Sequence, residues 1–247
     1  MKKLTLLLCG ALLSTLHFQA LAGNYVVGVE ALKYYPLYEG KGNSYKGYAR
    51  ELLDEFAKAK GHKLTYKAVP VKRLFGEFLA GNMDFKYPDN AKWASHMKQG
   101  HKVVYSDSTV EYIDGIMAPP ANKTLNVDTF KTIGTLRGFT PWVYMDDISK
   151  GTMKLSESDN MKSLISMAES GRIQGAYFNV VVAQYFMKNT LKNAKALVFK
   201  EDLPHSRDNF SLSTVKHPKV IEEFNAFLKE NESLVEKLKD KYQVKLP

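Results

Sequence analysis

Apolar positions along the chain follow two alternating rhythms. Tyr25 to Val29 is a run of β-formers, and Leu64, Tyr66 and Ala68 alternate with polar neighbours, which is the pattern of strands. Between them Gly47 opens a stretch in which Ala49, Leu53 and Phe56 recur at helical spacing with Leu52 beside them, and Gly61 ends it. Pro70 breaks the second strand. A helix follows over 71–80 with Leu74, Phe78 and Leu79 inward, Gly81 closes it, and Met83 to Phe85 makes a short third strand. Strand, helix, strand, helix, strand predicts a parallel sheet with helices packed on it.

The alternation resumes further on. Val103 to Tyr105 and Ile113 to Met117 read as strands on either side of the polar link 106–111, and Pro119-Pro120 breaks the chain. Thr132 to Leu136 is a buried strand, Arg137-Gly138 the turn, and Thr140-Pro141 the start of a helix that runs to Lys150 and stops at Gly151. A strand at Met153 to Leu155 precedes a helix over 159–170 with Met161, Leu164, Ile165 and Ala168 on one face, capped by Gly171. Gly175 to Phe178 is another strand, and Asn179 is placed to cap a helix from Val180 to Lys188. Leu197 to Lys200 leads out through Pro204 to a last strand, Asn209 to Ser213. Two amphipathic helices finish the chain, one with Val220, Phe224 and Leu228 inward, the other with Leu234, Leu238 and Tyr242.

In parallel sheets ligands sit outside the carboxyl ends of the strands. Those ends carry Tyr34, Tyr35 and Tyr38 after the first strand and Lys86-Tyr-Pro-Asp89 after the third, so a tyrosine-walled pocket is expected there. In the second set the turn at Gly138 aims free N–H groups and a helix N-terminus at one spot, with the Arg137 fork beside it. That pattern predicts an anion-binding corner.

The N-terminus does not belong to this fold. Met1-Lys2-Lys3, the apolar run Leu4 to Leu16 and the small residues of Ala20-Leu21-Ala22 are the three parts of a cleaved signal peptide, residues 1–22. The one cysteine, Cys9, lies inside it. The mature protein therefore has no thiol chemistry and no disulfide. No later segment is long and apolar enough to span a bilayer. The formal charge of +9 is spread over helix faces where lysine alternates with Glu and Asp, as in Glu51 to Lys60, which argues against a nucleic-acid stripe. No histidine pair with a nearby carboxylate has metal-ligand spacing, and no Gly-x-Ser-x-Gly elbow or phosphate loop occurs. Neither a metal nor another cofactor is expected.

These segments resemble, in order, the periplasmic solute-binding proteins of family 3, which serve polar amino-acid ABC importers. Tyr35-Pro-Leu-Tyr38 is similar to the family's aromatic–proline segment, and Gly47-Tyr-Ala-Arg-Glu-Leu-Leu53 to its Gly-Phe-Asp-x-Asp-Leu helix start. Gly81-Asn-Met-Asp-Phe85 is similar to its Gly-x-x-Asp-Ala turn, Thr132 to Thr140 to the second lobe's ligand loop, and Gly171 to Asn179 to its later Gly-Lys-Val-Asp-Ala strand. The resemblance implies an α/β fold of the two-lobed type II periplasmic binding protein kind, each lobe a mostly parallel sheet flanked by helices, the two joined by crossing strands. Lobe 1 would take residues 23–110 and 200–247, lobe 2 residues 111–199, with a small ligand between them.

It also implies site residues. Tyr34, Tyr35, Tyr87, Asp89 and Trp93 would contribute from lobe 1, and Arg137, Phe139, Thr140 and Asn179 from lobe 2. The family's first-lobe arginine has no counterpart, its place falling near His96, so Arg137 is expected to meet a ligand carboxylate. Asn179 stands where the family has the acid that meets the ligand amine, and Asp89 is the nearest replacement. The expected protein is a non-enzymatic, monomeric binding protein of the periplasm that hands an amino acid or related ligand to an inner-membrane ABC permease. A sensor that reports to a membrane receptor needs the same closing cleft. A dehydratase-like enzyme would need an acid or base such as Glu30, Asp89 or His96 poised in it.

Overall fold

The computed structural model describes residues 22–122 and 124–246. The signal-peptide reading falls, apart from Ala22, outside the described residues. The first unit is β1 (Asn24–Glu30), a small hairpin sheet of β2 (Lys33–Tyr34), β3 (Tyr38–Lys41) and β4 (Ser44–Lys46), then α1 (Tyr48–Lys60), β5 (Lys63–Val69), α2 (Val71–Leu79) and β6 (Phe85–Asp89). The short α3 (Ser95–Lys98) and β7 (Val104–Tyr105) lead into the long β8 (Val110–Ala118). Next come β9 (Thr132–Leu136), α4 (Met145–Ser149), β10 (Lys154–Ser158), α5 (Met161–Glu169), β11 (Gly175–Asn179) and α6 (Val180–Asn189). The chain closes with β12 (Val198–Phe199), the long β13 (Ser206–Thr214), α7 (Pro218–Glu230) and α8 (Glu232–Tyr242).

The main sheet runs β10-β9-β11-β8-β13-β6-β1-β5. At one end β5, β1 and β6 are parallel, and at the other β10, β9 and β11 are parallel. Between the two sets β8 and β13 lie antiparallel to each other, Ser206 opposite Asp114 and Phe210 opposite Val110. Farther along, β13 leaves β8 and pairs with β6 and β7. The helices cover the sheet as their apolar stripes require. Phe56 of α1 is fully buried, edge-on to Phe224 and Phe227 of α7 at 4.9 and 5.7 Å. Emptying such a position costs about 3–5 kcal/mol, so this ring cluster fixes α7 against α1.

Two expectations change. The helix over 141–150 is a 3₁₀ turn, Trp142–Tyr144, followed by the five-residue α4, and no side chain caps it. Pro141 has ψ 73°, off the helical region, and Tyr144 is drawn into the core, where its hydroxyl donates to the Pro204 carbonyl at 2.8 Å. Thr140 therefore performs no capping. The third strand starts at Phe85, not Met83, and includes Lys86 to Asp89, all buried. Met83 instead packs with Val69, Leu74 and Phe78 beneath it.

Gly47 shows the constraint at the start of α1. Its φ is 104°, and an added Cβ would lie 2.9–3.0 Å from the Pro36 and Leu37 carbonyl oxygens and the Tyr38 Cα. Those carbonyls accept from the Tyr48 and Ala49 N–H groups, so they cannot retreat without unpairing the helix. Gly47→Ala should cost about 2 kcal/mol. Thermal unfolding should then show Tm lower by roughly 4–8 °C.

Candidate functional site

The carboxyl ends of β1 and β11 and the middle of β8 meet at one place. Glu30 ends β1, is 6% exposed, and accepts a hydrogen bond from the Tyr38 hydroxyl. Asp114 stands mid-β8, between its cross-strand partners Asn179 on β11 and Ser206 on β13. The Asn179 amide donates to Asp114 Oδ1 at 3.2 Å, while its carbonyl oxygen accepts from Val182 N–H at 3.1 Å and caps α6. One side chain thus orients the acid and starts a helix.

Aromatic rings from the hairpin sheet, from the turn after β9 and from β11 close around these carboxyls. Tyr34 stacks on Tyr38 at 5.0 Å and meets Phe178 at 5.2 Å and Phe139 at 6.2 Å, and Phe139 lies 4.9 Å from Phe178. On the other flank Tyr112 stacks on Phe210 at 4.7 Å, with Trp93 at 5.9 and 5.7 Å from the two. Loss of solvation raises the Asp114 carboxyl from 3.8 to about 7, against hydrogen bonds from Asn179 and Tyr34, and the Glu30 charge adds to the rise. Glu30 is also raised, by burial first, with Lys86 and the Tyr38 hydroxyl opposing. Both acids sit in surroundings that resist negative charge.

No family model matches the chain, and no curated protein matches it by sequence. Solved structures do. An arginine third transport system periplasmic binding protein from Legionella pneumophila superposes with a TM-score of 0.66 at 16% identity, covering 90% of this chain and 100% of that one. The arginine-, lysine-, histidine-binding protein ArtJ from Geobacillus stearothermophilus gives 0.66 at 18%, covering 91% and 96%. The GluR0 ligand-binding core in complex with L-glutamate gives 0.69 at 10%, covering 89% and 97%. The fold is that of the two-lobed periplasmic solute-binding proteins.

On that fold the residues singled out from sequence separate into groups. Tyr34, Trp93, Phe139 and Asn179 come together at the acidic centre. Tyr35 turns away, packing on Tyr185 and Tyr242 at 5.1 and 6.2 Å. Tyr87 is 1% exposed, its hydroxyl 2.7 Å from Thr109 Oγ1. Asp89 is fully buried and fully engaged: Lys98 and Lys86 Nζ lie 3.1 and 3.3 Å from Oδ1, the Asn90 N–H donates to Oδ1, and Ser213 donates to Oδ2. Thr140 is half-buried, and its carbonyl accepts from Trp142 N–H at 3.0 Å.

Arg137 is exposed, and its fork is held by Glu157 at 3.0 Å and Asp159 at 2.9 Å. Glu157 also accepts from the Gly138 N–H. The protein's own carboxylates thus occupy the corner read as an anion site. Among the described residues no cluster of three or more His, Cys, Asp or Glu side chains is placed to hold a metal ion.

Sequence reading missed Asp114, Phe178, Tyr112 and Phe210 as site residues. Asp114 carried a usable signal: it is the one charge within the otherwise apolar run Ile113 to Met117. The three rings carried none, because an aromatic in a strand is as suited to a core as to a pocket.

A raised acid destabilises the fold wherever it is ionised in the unfolded chain and held back in the folded one. With Asp114 at about 7 against 3.8, that penalty is absent below about pH 4, grows to pH 7 and is constant above. Asp114→Asn keeps an oxygen for the Asn179 amide and removes the charge. Its stability relative to wild type should rise between about pH 4 and 7 and then level off, by up to a few kcal/mol, measured as urea unfolding across pH.

Proposed function

We propose that this protein is a periplasmic solute-binding protein that captures a small polar ligand between two lobes and delivers it to an inner-membrane ABC importer. Lobe 1 is residues 23–110 and 200–247, and lobe 2 is residues 111–199. The observation that carries the reading is the acidic and aromatic centre at the crossing of β8 and β13. Glu30 at the end of β1, with Tyr34 and Tyr38 of the hairpin sheet that follows it, reaches it from one side, and Phe139, Phe178 and Asn179 from the other. A site assembled from both sides of a two-strand junction is complete only when the sides are together, so a ligand bound there favours closure.

Export through the signal peptide places the protein outside the inner membrane. Among the described residues no helix is long and apolar enough to cross one. The binding proteins with this fold, whose own names record arginine, lysine and histidine as ligands, support an amino acid or a related compound as the ligand class.

The test is a thermal-shift screen of the mature protein against amino acids, amines and small carboxylates, followed by small-angle X-ray scattering. A ligand at about a hundred times its dissociation constant stabilises by roughly 2.7 kcal/mol. That corresponds to a rise in Tm of roughly 5–11 °C. The ligand that produces it should also shrink the radius of gyration. Phe178→Ala should lose at least tenfold in affinity for it. A Tm shift with no change in scattering, or one unaffected by Phe178→Ala, would remove the cleft as the site.

A further inference from the structure

We infer that the ligand is a small organic cation, its ammonium group held by Asp114 and Glu30 between the rings of Tyr34, Phe139 and Phe178. The inference rests on the solute-binding reading and narrows its ligand class. Three independent observations carry it.

The first is charge balance. Lys86, with no exposed surface, and Lys98 converge on Asp89, and Lys86 also acts on Glu30. Asp89 and Glu30 together match the two lysines. Asp114 has no ion-pair partner among the described residues: Asn179 and Tyr177 on β11, Ser206 on β13, Tyr34 on β2, Glu30 on β1 and Tyr112 on its own strand face it, and none brings positive charge. The site lacks one cation.

The second is the kind of surface around that acid. Tyr34, Phe139 and Phe178 form a mutually packed set with centroids 4.9–6.2 Å apart, drawn from both lobes. Ring faces attract an ammonium within about 6 Å of the centroid and do nothing for a carboxylate.

The third is the placement of the arginines. Arg50 is paired with Asp54 and lies over the Tyr66 ring, Arg73 with Glu77, Arg207 with Glu111, and Arg137 with Glu157 and Asp159. Arg172, the fifth, is exposed. The buried lysines are equally committed, Lys86 to the Pro88 carbonyl and Lys98 to the Asn90 carbonyl as well as to Asp89, and Lys200 to Asp202. A ligand carboxylate would find no guanidinium at this centre.

The experiment is titration calorimetry of the mature protein with choline, tyramine and n-butylamine, with L-glutamine and L-glutamate, and with succinate. Choline, tyramine or butylamine should bind, and Asp114→Asn should weaken that binding at least tenfold while raising stability of the free protein. Choline keeps its charge at every pH, so a change in its affinity reports the protein. With Asp114 at about 7, its binding should be about tenfold weaker at pH 6 than at pH 8. Binding of succinate or an amino acid with no response to any of the three amines would overturn the inference and leave the solute-binding reading standing. So would amine binding that survives Asp114→Asn or depends on Arg137. Silence from every compound, with unchanged scattering, would overturn both.

Discussion

Everything in this molecule hangs on the antiparallel pair β8 and β13. Each is nine residues long, and together they are the covalent and hydrogen-bonded bridge between the two parallel sets. Backbone pairing over Ser206 to Phe210 fixes how β8 and β13 face each other. The hairpin rings of Tyr34 and Tyr38 then land against Phe178, Phe139 and Phe210 with no further device.

The same bridge carries the most expensive side chain in the site. An acid placed on an edge would be solvated and cheap. On β8, flanked by strands on both sides and roofed by rings, Asp114 loses water and gains only neutral hydrogen bonds. The fold tolerates this because Asn179 donates to the carboxyl, and because the large aromatic cores on either side supply stability elsewhere. Asp89 shows the opposite solution. It has no exposed surface, where Asp114 keeps some, and two ammonium groups, a hydroxyl and a backbone N–H satisfy it, so it behaves as a structural anchor between β6, α3 and β13. The two aspartates thus differ in what surrounds them: Asp89 meets two ammonium groups, Asp114 only neutral donors.

The small helices after β9 illustrate how tertiary contacts override local signals. Thr140-Pro141 is a sound helix start when read alone. Burial of Tyr144 and its bond to the Pro204 carbonyl pull the chain into a 3₁₀ turn first, leaving five residues of helix. With that helix shortened and Glu157 and Asp159 brought alongside by β10 and the turn after it, Arg137 becomes a clasp on the outside of the second sheet.

The sequence by itself determined the strand and helix order, the parallel character of the two strand sets at the ends of the main sheet, and the caps at Gly47, Gly61 and Asn179. These are legible because they depend on spacing, on backbone freedom at glycine, and on hydrogen bonds reaching only a few residues along the chain. It also pointed to Tyr34, Trp93, Phe139 and Asn179, which the fold brings together. What only the tertiary structure decided is which charges are matched. Arg137 meets Glu157 and Asp159 some twenty residues on, and Asp89 meets Ser213 across 124 residues. Asp114 meets no cation at all among the described residues. Charge pairing acts through space at a few ångströms, between residues whose distance in sequence carries no trace of it, so the chemistry of the site becomes visible only once the strands are laid side by side.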